Sequence, residues 1–325
     1  MIFFDGIIYN LQRTGGVTVL FDELIRRLPQ DSYVLAKNAP RHRLDRYFKC
    51  RVNHYCDIFH STYYRLPATG GPHVVTTVHD FTYERFVRGP KQWLHTWQKN
   101  KAIAGSDAII CVSESTKQDL LEFCGARYES RVHVIPNGVS DQFKPIVDAV
   151  PNNQVFFVGA RAGYKNFLAT VKAVSLLDEI VLTCVGGGGF TDTELATLEN
   201  NLPGRYRHTG FLSTDGLNKE YNRSICLVYP SLYEGFGIPV LEAMRTGCPV
   251  IAVNASSIPE VAGQSAYLLE TGNAEEISEA IKFFLSDDHR REFQFKGWQQ
   301  SSLFSWDVTA QKTISVYEDL LGRKL

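Results

Sequence analysis

The chain has 325 residues, 44% hydrophobic and 21% charged, which is enough for two ordinary domains that each bury a core. Its net charge of −1 and pI near 6.8 provide no electrostatic reason to bind nucleic acid. Seven cysteines without a Cys-x-x-Cys spacing indicate small buried residues in a reducing compartment, which argues against a disulfide framework or a zinc site.

The first residues predict a strand, a loop and a helix. Residues 1–8 read as a strand, without the pattern of a signal peptide, and the loop 9–16 ends in Thr14-Gly15-Gly16. Apolar residues at helical spacing follow over 17–28. A glycine pair between strand and helix lets a backbone approach a phosphate, but taken by themselves Gly15 and Gly16 are better explained by a tight turn.

Two segments of the first half mix basic and aromatic residues, residues 41–51 and residues 85–101 with Trp93 and Trp97. Such segments are usually solvated helix faces. The alternative is a surface for an anionic membrane or for a lipid-diphosphate acceptor. No run of the chain is apolar and long enough to span a bilayer, so we expect a cytoplasmic protein, peripheral at the inner face of the membrane under that alternative.

The strand–helix alternation continues through the first half. A strand over 74–78 leads into His79, which by its residues alone reads as an ordinary packed histidine. Strands over 107–111 and 131–135 enclose a helix over 116–123, and Pro136-Asn137-Gly138-Val139 forms a turn. The polar residues 147–153 read as a linker.

The second half begins with a strand over 154–158, after which Arg161 and Lys165 precede a predicted helix over 167–177. A helix dipole disfavours cations at this end, so a bound anion would offset their charge. The alternative is that both side chains point to solvent. On this reasoning Lys165→Ala should leave the free protein equally or slightly more stable.

Glycines mark the next turns. Four consecutive glycines, 186–189, follow a strand over 180–185 and predict a close backbone approach or a very tight turn. A strand-like segment over 207–212 precedes a helix that Ser213 caps. Further helices are predicted over 273–285 and 287–302, and a last one begins at Ser305.

Residues 226–263 organise the second half. A buried strand over 226–229 stops at Pro230, a loop with two glycines follows, and Pro239 suits the start of a helix that Gly247 closes. This strand–loop–helix arrangement directs helix N–H groups at the loop. Glu234 before the loop and Glu242 in the predicted first turn of the helix are candidates to accept hydrogen bonds from sugar hydroxyls. Taken singly, each glutamate reads as an ordinary solvated or dipole-complementing residue.

The unbroken sequence Glu-Gly-Phe-Gly-Ile-Pro-Val-Leu-Glu, 234–242, resembles the E-x7-E motif of family-4 glycosyltransferases, retaining enzymes of the GT-B fold. The resemblance implies an α/β protein with two Rossmann-like, doubly wound parallel-sheet domains facing a central cleft. The alternation of strands and helices predicts parallel sheets independently. We expect an acceptor-side domain over 1–140, onto which 306–325 crosses back, and a nucleotide-sugar domain over 141–305.

The resemblance also implies roles for single residues. His79 would face the donor sugar, Glu234 would bind its hydroxyls, Glu242 the ribose, and Arg161 with Lys165 the diphosphate. The remaining donor-binding candidates are Gly15 and Gly16 near the diphosphate, Gly210, Phe211 and Leu212 near the base, and Gly235, Phe236, Gly237, Ile238, Val240 and Leu241 at the helix N-terminus.

The resemblance therefore implies a retaining hexosyltransferase. A nucleotide diphosphate sugar, GDP-mannose being our choice, would donate to a hydroxyl of a glycan or a lipid-linked acceptor. No cofactor or metal is expected, because Arg161, Lys165 and the helix N-terminus would neutralise the leaving diphosphate. A nucleotide-sugar 2-epimerase of the same fold and a non-catalytic donor-binding subunit remain alternatives.

Overall fold

The structure, a computed structural model, describes residues 1–12, 14–36, 43–52 and 55–325. It divides into two compact units, residues 1–138 with 305–325 and residues 139–304. Among the described residues each unit is built on a six-stranded parallel sheet. Parallel strands need helical crossovers, and the predicted alternation of strands and helices is confirmed.

The first unit has the sheet order β2-β1-β3-β4-β5-β6. Its strands are β1 (Ile2–Phe4), β2 (Tyr33–Leu35), β3 (Ile58–Ser61), β4 (His73–Val78), β5 (Ala108–Cys111) and β6 (Val132–Val134). Its helices are α1 (Ile8–Leu11), α2 (Gly16–Arg27), α3 (Thr82–Phe86), α4 (Pro90–Ala104), α5 (Glu114–Cys124) and, at the end of the chain, α13 (Trp306–Leu321), with 3-10 turns at Arg43–Tyr47 and Ala126–Arg131.

The second unit has the order β12-β11-β10-β7-β8-β9. Its strands are β7 (Gln154–Val158), β8 (Val181–Val185), β9 (Tyr206–His208), β10 (Cys226–Tyr229), β11 (Val250–Val253) and β12 (Tyr267–Leu269). Its helices are α6 (Phe167–Ser175), α7 (Asp192–Asn201), α8 (Thr214–Arg223), α9 (Ile238–Thr246), α10 (Ile258–Ala262), α11 (Ala274–Phe283) and α12 (Asp287–Ser301), with a 3-10 turn at Gly163–Lys165.

Local sequence explains several helix ends. Ser113, Ser213, Asn273 and Ser305 each accept a backbone hydrogen bond as N-cap residues. At α7, Thr191 and Glu194 form a reciprocal capping box. Helix α9 begins after Gly237 and ends at Gly247, both with left-handed backbone angles.

Several sequence-based boundaries need correction. The predicted strand over 1–8 ends at Phe4, and the predicted loop 9–16 contains the short helix α1. Glu242 is the fifth residue of α9 and lies in its second turn, not its first. Helix α6 begins at Phe167 as predicted, directly after the 3-10 turn Gly163–Lys165 and Asn166, but it ends at Ser175 and not at residue 177.

The cysteines behave as the sequence predicts. All seven are free thiols, and every one except the half-buried Cys124 is buried. Cys111, Cys184 and Cys226 lie within strands, and Cys248 lies just before β11. They contribute small apolar volume beside β-branched and aromatic neighbours, as in the core of the second unit.

Candidate functional site

The charged candidate residues of the second unit lie in loops at the carboxyl edge of its sheet. The chain proceeds outward from β7 to β8 and β9, then returns to place β10 beside β7. The order therefore reverses between β7 and β10, and ligands of open α/β sheets bind at such a switch point. The loop after β7 holds Arg161 and Lys165, and the loop after β10 holds Glu234.

Lys165 and Glu234 meet at this switch point as an ion pair, with side chains 13% and 12% exposed. Lys165 Nζ also lies 3.5 Å from the hydroxyl of Tyr229, the last residue of β10. Burial and the neighbouring Glu234 raise the pKa of Tyr229 well above its usual value, which keeps it a neutral hydrogen-bonding group. The site thus places a cation, a carboxylate and a phenol side by side.

The loop from Glu234 to the start of α9 is held by two serines that follow β11. Ser256 Oγ accepts a 2.8 Å hydrogen bond from the Glu234 backbone N–H. Ser257 Oγ lies 2.9 Å from the carbonyl oxygens of Glu234 and Phe236. Gly237 has a φ of 101°, which a side chain rarely tolerates, and directs the chain into α9.

Of the six candidate residues at this helix N-terminus, three have side chains in the core. Phe236, Val240 and Leu241 are buried. Gly235, Gly237 and Ile238 provide the backbone between Glu234 and the first turn of α9. These residues can therefore meet a ligand through the backbone N–H groups of the loop and helix start.

Glu242 lies on α9 against α8. Its Oε2 accepts a 2.9 Å hydrogen bond from the hydroxyl of the fully buried Tyr221. Burial raises the pKa of Glu242 to about 7, although the bond from Tyr221 acts to lower it. The carboxyl group is therefore poised between its neutral and charged forms near neutral pH.

Arg161 is committed to the loop of four glycines. Its guanidinium donates to the carbonyls of Gly186, Gly188 and Gly189 at 3.0, 3.0 and 2.7 Å, and its Nε donates to Glu194 at 3.0 Å. The side chain is 3% exposed and lies over the Phe190 ring. Arg161 and Lys165 are thus paired cations and not two cations that a helix dipole leaves unbalanced, which corrects the dipole argument made from the sequence.

The base candidates follow β9. Gly210 has a φ of 70°, and its carbonyl accepts a 3.0 Å hydrogen bond from the Gly186 N–H. Phe211 is 72% exposed, while Leu212 packs against Gly216. The structure therefore joins the Gly210–Leu212 segment to the glycine loop along one edge of the sheet.

In the first unit the switch point lies between β1 and β3, and Asp5 fills it. Its carboxylate accepts hydrogen bonds from the Thr62 N–H and hydroxyl, both at 2.8 Å, and from Ser61 Oγ at 3.1 Å. Gly15, with a φ of 151°, precedes α2, which starts at Gly16. This φ lies in the range that residues with a side chain rarely adopt, so the turn favours glycine.

His79 directly follows β4 in the first unit. Its ring lies 6.4 Å from the Phe21 ring in an edge-to-face arrangement. Its pKa is lowered to about 4, chiefly by burial, with the Lys99 ammonium also lowering it and Asp80 opposing the shift. The imidazole is therefore neutral at physiological pH, so one of its nitrogens can donate a hydrogen bond and the other can accept one.

Sequence reasoning missed the partners of the candidate residues. These are Tyr229, Tyr221, Glu194, Ser256 and Ser257. Tyr229 at the end of a predicted strand was the one readable signal, since a tyrosine there reaches the ligand edge. Within the described ranges no three His, Cys, Asp or Glu side chains are grouped to hold a metal ion. In the same ranges no helix is both long and apolar enough to cross a membrane.

Two family models match the chain in succession. The model described as Glycosyltransferase Family 4 matches residues 19–143, and the model described as Glycosyl transferases group 1 matches residues 140–297. The second match includes Arg161, Lys165, Glu234 and Glu242.

Among curated proteins, the O-antigen chain mannosyltransferase B of Escherichia coli is 27% identical over 285 residues, covering 80% of this chain and 74% of that protein. The serotype-specific mannosyltransferase WbdA of Escherichia coli is also 27% identical, over 79% of this chain, which spans only 35% of that longer protein. Among solved structures, Anabaena Alr3699/HepE in complex with UDP and glucose superposes with a TM-score of 0.77 at 15% identity, covering 98% of both chains. The likeness shows the GT-B fold.

Proposed function

Because this chain belongs to glycosyltransferase family 4, we propose that it moves a hexose from a nucleotide diphosphate sugar to a hydroxyl of a glycan or lipid-linked acceptor. In this proposal the anomeric configuration is retained and no metal takes part. The observation that carries it is the Lys165–Glu234 pair at the switch point of the second sheet. In a nucleotide sugar, the anionic diphosphate is bonded directly to a sugar ring that carries hydroxyl groups. An adjacent lysine and glutamate suit such a ligand, because the lysine can bind the diphosphate while the glutamate accepts hydrogen bonds from the hydroxyls.

The pair gives the two residues separate tasks. Lys165 would bind the diphosphate, together with the backbone N–H groups at the start of α9. Glu234, released from Lys165, would accept hydrogen bonds from the sugar hydroxyls. Positive charge that is fixed where the leaving group develops its negative charge lowers the barrier without a metal ion.

Arg161 would act on the diphosphate from behind the glycine loop. Its fork is already bonded to Glu194 and to loop carbonyls. It therefore contributes charge and holds the loop, while Lys165 makes the direct contact. Glu242 would accept a hydrogen bond from the ribose, Gly210–Leu212 would border the base, and Gly15, Gly16 and His79 would face the donor from the first unit.

Mannose is the sugar that we propose, in line with the names of the curated mannosyltransferases, and GDP-mannose is the corresponding donor. HepE was solved with UDP and glucose, so uridine donors belong in the same test. Thermal shift with GDP, UDP, TDP and ADP identifies the base, because a ligand at 100 times its Kd adds about 2.7 kcal/mol of stability.

The decisive experiment measures products from the selected donor. We expect free nucleoside diphosphate, a glycosylated acceptor whose anomeric configuration by NMR equals that of the donor, and full activity in EDTA. Isomerised donor would identify a 2-epimerase, and binding without turnover a donor-binding subunit. Loss of activity in EDTA that Mn²⁺ or Mg²⁺ restores would refute the metal-free mechanism.

We also propose that the first unit contacts an anionic membrane or a lipid-linked acceptor through α4. Trp93 and Trp97 lie one turn apart and are 70% and 42% exposed, and Lys101 Nζ lies 4.7 Å from the Trp97 ring centroid. Exposed aromatic and basic side chains on one helix face suit a membrane interface. In the other basic segment, Arg41 lies outside the described residues, and Arg46 stacks on Tyr63.

Flotation tests this contact. The protein should float with anionic vesicles and not with neutral ones, since each basic residue near an anionic surface contributes about 1 kcal/mol. The double variant Trp93→Ala/Trp97→Ala should lose most of the bound fraction. Phe295→Ala, which removes an exposed aromatic of α12 in the second unit, is the matched control. Equal recovery with both vesicle types would refute the electrostatic contact.

A further inference from the structure

A buried lysine lies directly against the turn that carries His79. Lys99 is on α4, and its side chain is 0% exposed. Its Nζ donates a 2.8 Å hydrogen bond to the carbonyl oxygen of Asp80, the residue after His79. It donates a second one, also 2.8 Å, to Glu84 Oε2 on α3, whose side chain is 4% exposed. Lys99 therefore ties the carbonyl group of Asp80, one residue after His79, to helices α3 and α4.

Both ionic groups of this pair have further partners. Glu84 Oε1 accepts a 2.9 Å hydrogen bond from the Thr96 hydroxyl, so both oxygens of the carboxylate are used. The ammonium group also lies 4.2 Å from the centroid of the Phe81 ring, at cation–π distance. Asp80 accepts a 2.9 Å hydrogen bond from the Thr82 N–H, which closes the turn.

Stability alone does not explain this pair. Replacing a buried ion pair by apolar residues of similar volume is often neutral or stabilising. A buried, satisfied polar network does, however, fix the geometry of the backbone it touches. Here that backbone is the single turn between β4 and α3, and its first residue is His79.

Lys99 also acts on His79 through its charge. The ionisable groups that face it are Asp80, Lys99, Tyr64 and, from β3, His60. Burial and the Lys99 ammonium lower the pKa of His79, and Asp80 opposes them. Removing the ammonium should therefore raise the pKa of His79.

We propose that Lys99 is a positioning residue for the transfer reaction: through Asp80 and Glu84 it fixes the His79 turn in the orientation that meets the donor sugar. This inference rests on the role of His79 in the proposed function. Lys99 acts through that turn and touches no substrate itself.

Two variants test the role. Lys99→Met removes the ammonium, and Glu84→Gln/Lys99→Met removes both charges, so that no buried carboxylate is left unpaired. We expect kcat to fall at least about tenfold in both, the fold-change that corresponds to about 1.4 kcal/mol. Nucleoside diphosphate affinity should stay within about twofold, because its proposed site lies in the second unit.

Ser106→Ala is the matched control. Ser106 Oγ lies 2.8 Å from the Ala102 carbonyl near the end of α4 and 2.7 Å from Thr76 Oγ1 in β4, so its loss weakens the same helix and its contact with β4 without touching Asp80. It should lower the melting temperature and leave kcat and the His79 titration unchanged. NMR of the imidazole supplies a second readout, in which Lys99→Met raises the pKa of His79.

The outcomes separate the two proposals. Absence of turnover in the wild type with every donor would refute the proposed function, and this role with it. Normal turnover in the wild type and a folded double variant with kcat within twofold of it would refute the role of Lys99 alone. If His79→Ala turned over normally, His79 would be irrelevant to transfer, and the contact with Lys99 would be merely structural.

Discussion

At the scale of single residues, the contact proposed between Glu242 and the ribose predicts that the affinity for the donor depends on pH. Burial raises its pKa to about 7, and the charged form is the better hydrogen-bond acceptor for a ribose hydroxyl. If only that form binds, affinity should rise about tenfold between about pH 6 and pH 8, in proportion to the ionised fraction. A nucleotide sugar is the proper probe, since its diphosphate diester does not titrate in this range.

Variants assign the pH effect to one carboxyl group. Glu242→Gln should weaken binding at high pH and abolish the dependence. Tyr221→Phe removes the hydrogen bond that lowers the pKa of Glu242, so it should shift the profile to higher pH. An unchanged profile in Glu242→Gln, measured by calorimetry, would exclude the ribose contact.

Glu242 should also make the stability of the free protein depend on pH, but stability should fall as pH rises, whereas donor affinity should rise. A carboxyl whose pKa is raised on folding binds more protons in the native state, so stability falls as pH rises from the unfolded value near 4.5 to about 7. Glu242→Gln should flatten this part of the curve of unfolding free energy against pH. Urea titrations of the wild type and of Glu242→Gln at about pH 5 and pH 8 give the change in unfolding free energy with pH for each protein.

Lys165 requires a revised prediction. From the sequence, Lys165→Ala should leave the free protein equally or slightly more stable. In the structure Lys165 pairs with a largely buried Glu234, and its removal leaves that carboxylate unpaired, at a cost of about 1–3 kcal/mol. We therefore expect Lys165→Met to lower stability, and Glu234→Gln/Lys165→Met to recover much of the loss.

Turnover distinguishes this pair from a structural one. Lys165→Met should lower kcat about 10²–10³-fold, as expected for one preorganised group at the leaving phosphate, and should weaken binding of the free nucleoside diphosphate. The double variant should regain stability but not activity. Normal turnover in either folded variant would remove Lys165 from the mechanism.

These residues also show what the sequence could predict about the candidate site. The motif from Glu234 to Glu242 could be selected because it resembles a family motif, and the same resemblance selected the cations Arg161 and Lys165 after the glycine that follows a predicted strand. Their partners could not, since Lys165 meets Glu234 only after β10 returns to lie beside β7. Sequence distance hides such pairs, and a cation that looks unpaired in the sequence can be paired in the fold.

At the scale of elements, the glycine loop after β8 depends on glycine to different degrees at each position. Gly186, Gly187 and Gly188 all have φ values between 71° and 77°. A Cβ at Gly187 would lie 2.6 Å from the Gly159 carbonyl oxygen and 2.8 Å from Arg161 Nη1. At Gly188 it would meet open space. Substitution at Gly188 would therefore introduce backbone strain alone, and substitution at Gly187 would introduce backbone strain together with a steric collision.

This difference predicts a graded series. Gly188→Ala should cost about 1–2 kcal/mol for the left-handed backbone alone. Gly187→Ala should cost more and weaken nucleotide binding, because it also displaces Arg161. Gly189→Ala, with neither positive φ nor neighbour, is the neutral control. Equal effects of all three on denaturant midpoint and nucleotide affinity would contradict this account.

Elements were predictable where the hydrophobic pattern was long or sharply bounded. The strands over 154–158 and 226–229 match their observed bounds, since each is a buried apolar run closed by glycine or proline. Helix α1 was not predicted, because a periodicity cannot be read over four residues. The turn at Lys165 was also unpredictable, since Asn166 stops the 3-10 turn with a φ of 57°.

At the scale of the whole molecule, regular alternation of strands and helices was sufficient to predict two parallel sheets. Right-handed crossovers and short connections leave few other ways to fold such a pattern. What alternation does not specify is strand order. The reversals between β1 and β3 and between β7 and β10 depend on which strands pair, and the sequence shows no direct sign of it. One switch point is filled by Asp5 and the other by Lys165 and Glu234.

The free cysteines can report the unfolding of each unit separately. Cys50, Cys56 and Cys111 are buried in the first unit, and Cys184, Cys226 and Cys248 in the second. Burial raises the pKa of Cys50 to about 11 and that of Cys184 to about 12, so these thiols should resist alkylation until their surroundings open. Pulses of iodoacetamide in rising urea, read by mass spectrometry, should modify the half-buried Cys124 first. The labelling midpoints of the other six would then time the opening of each unit separately.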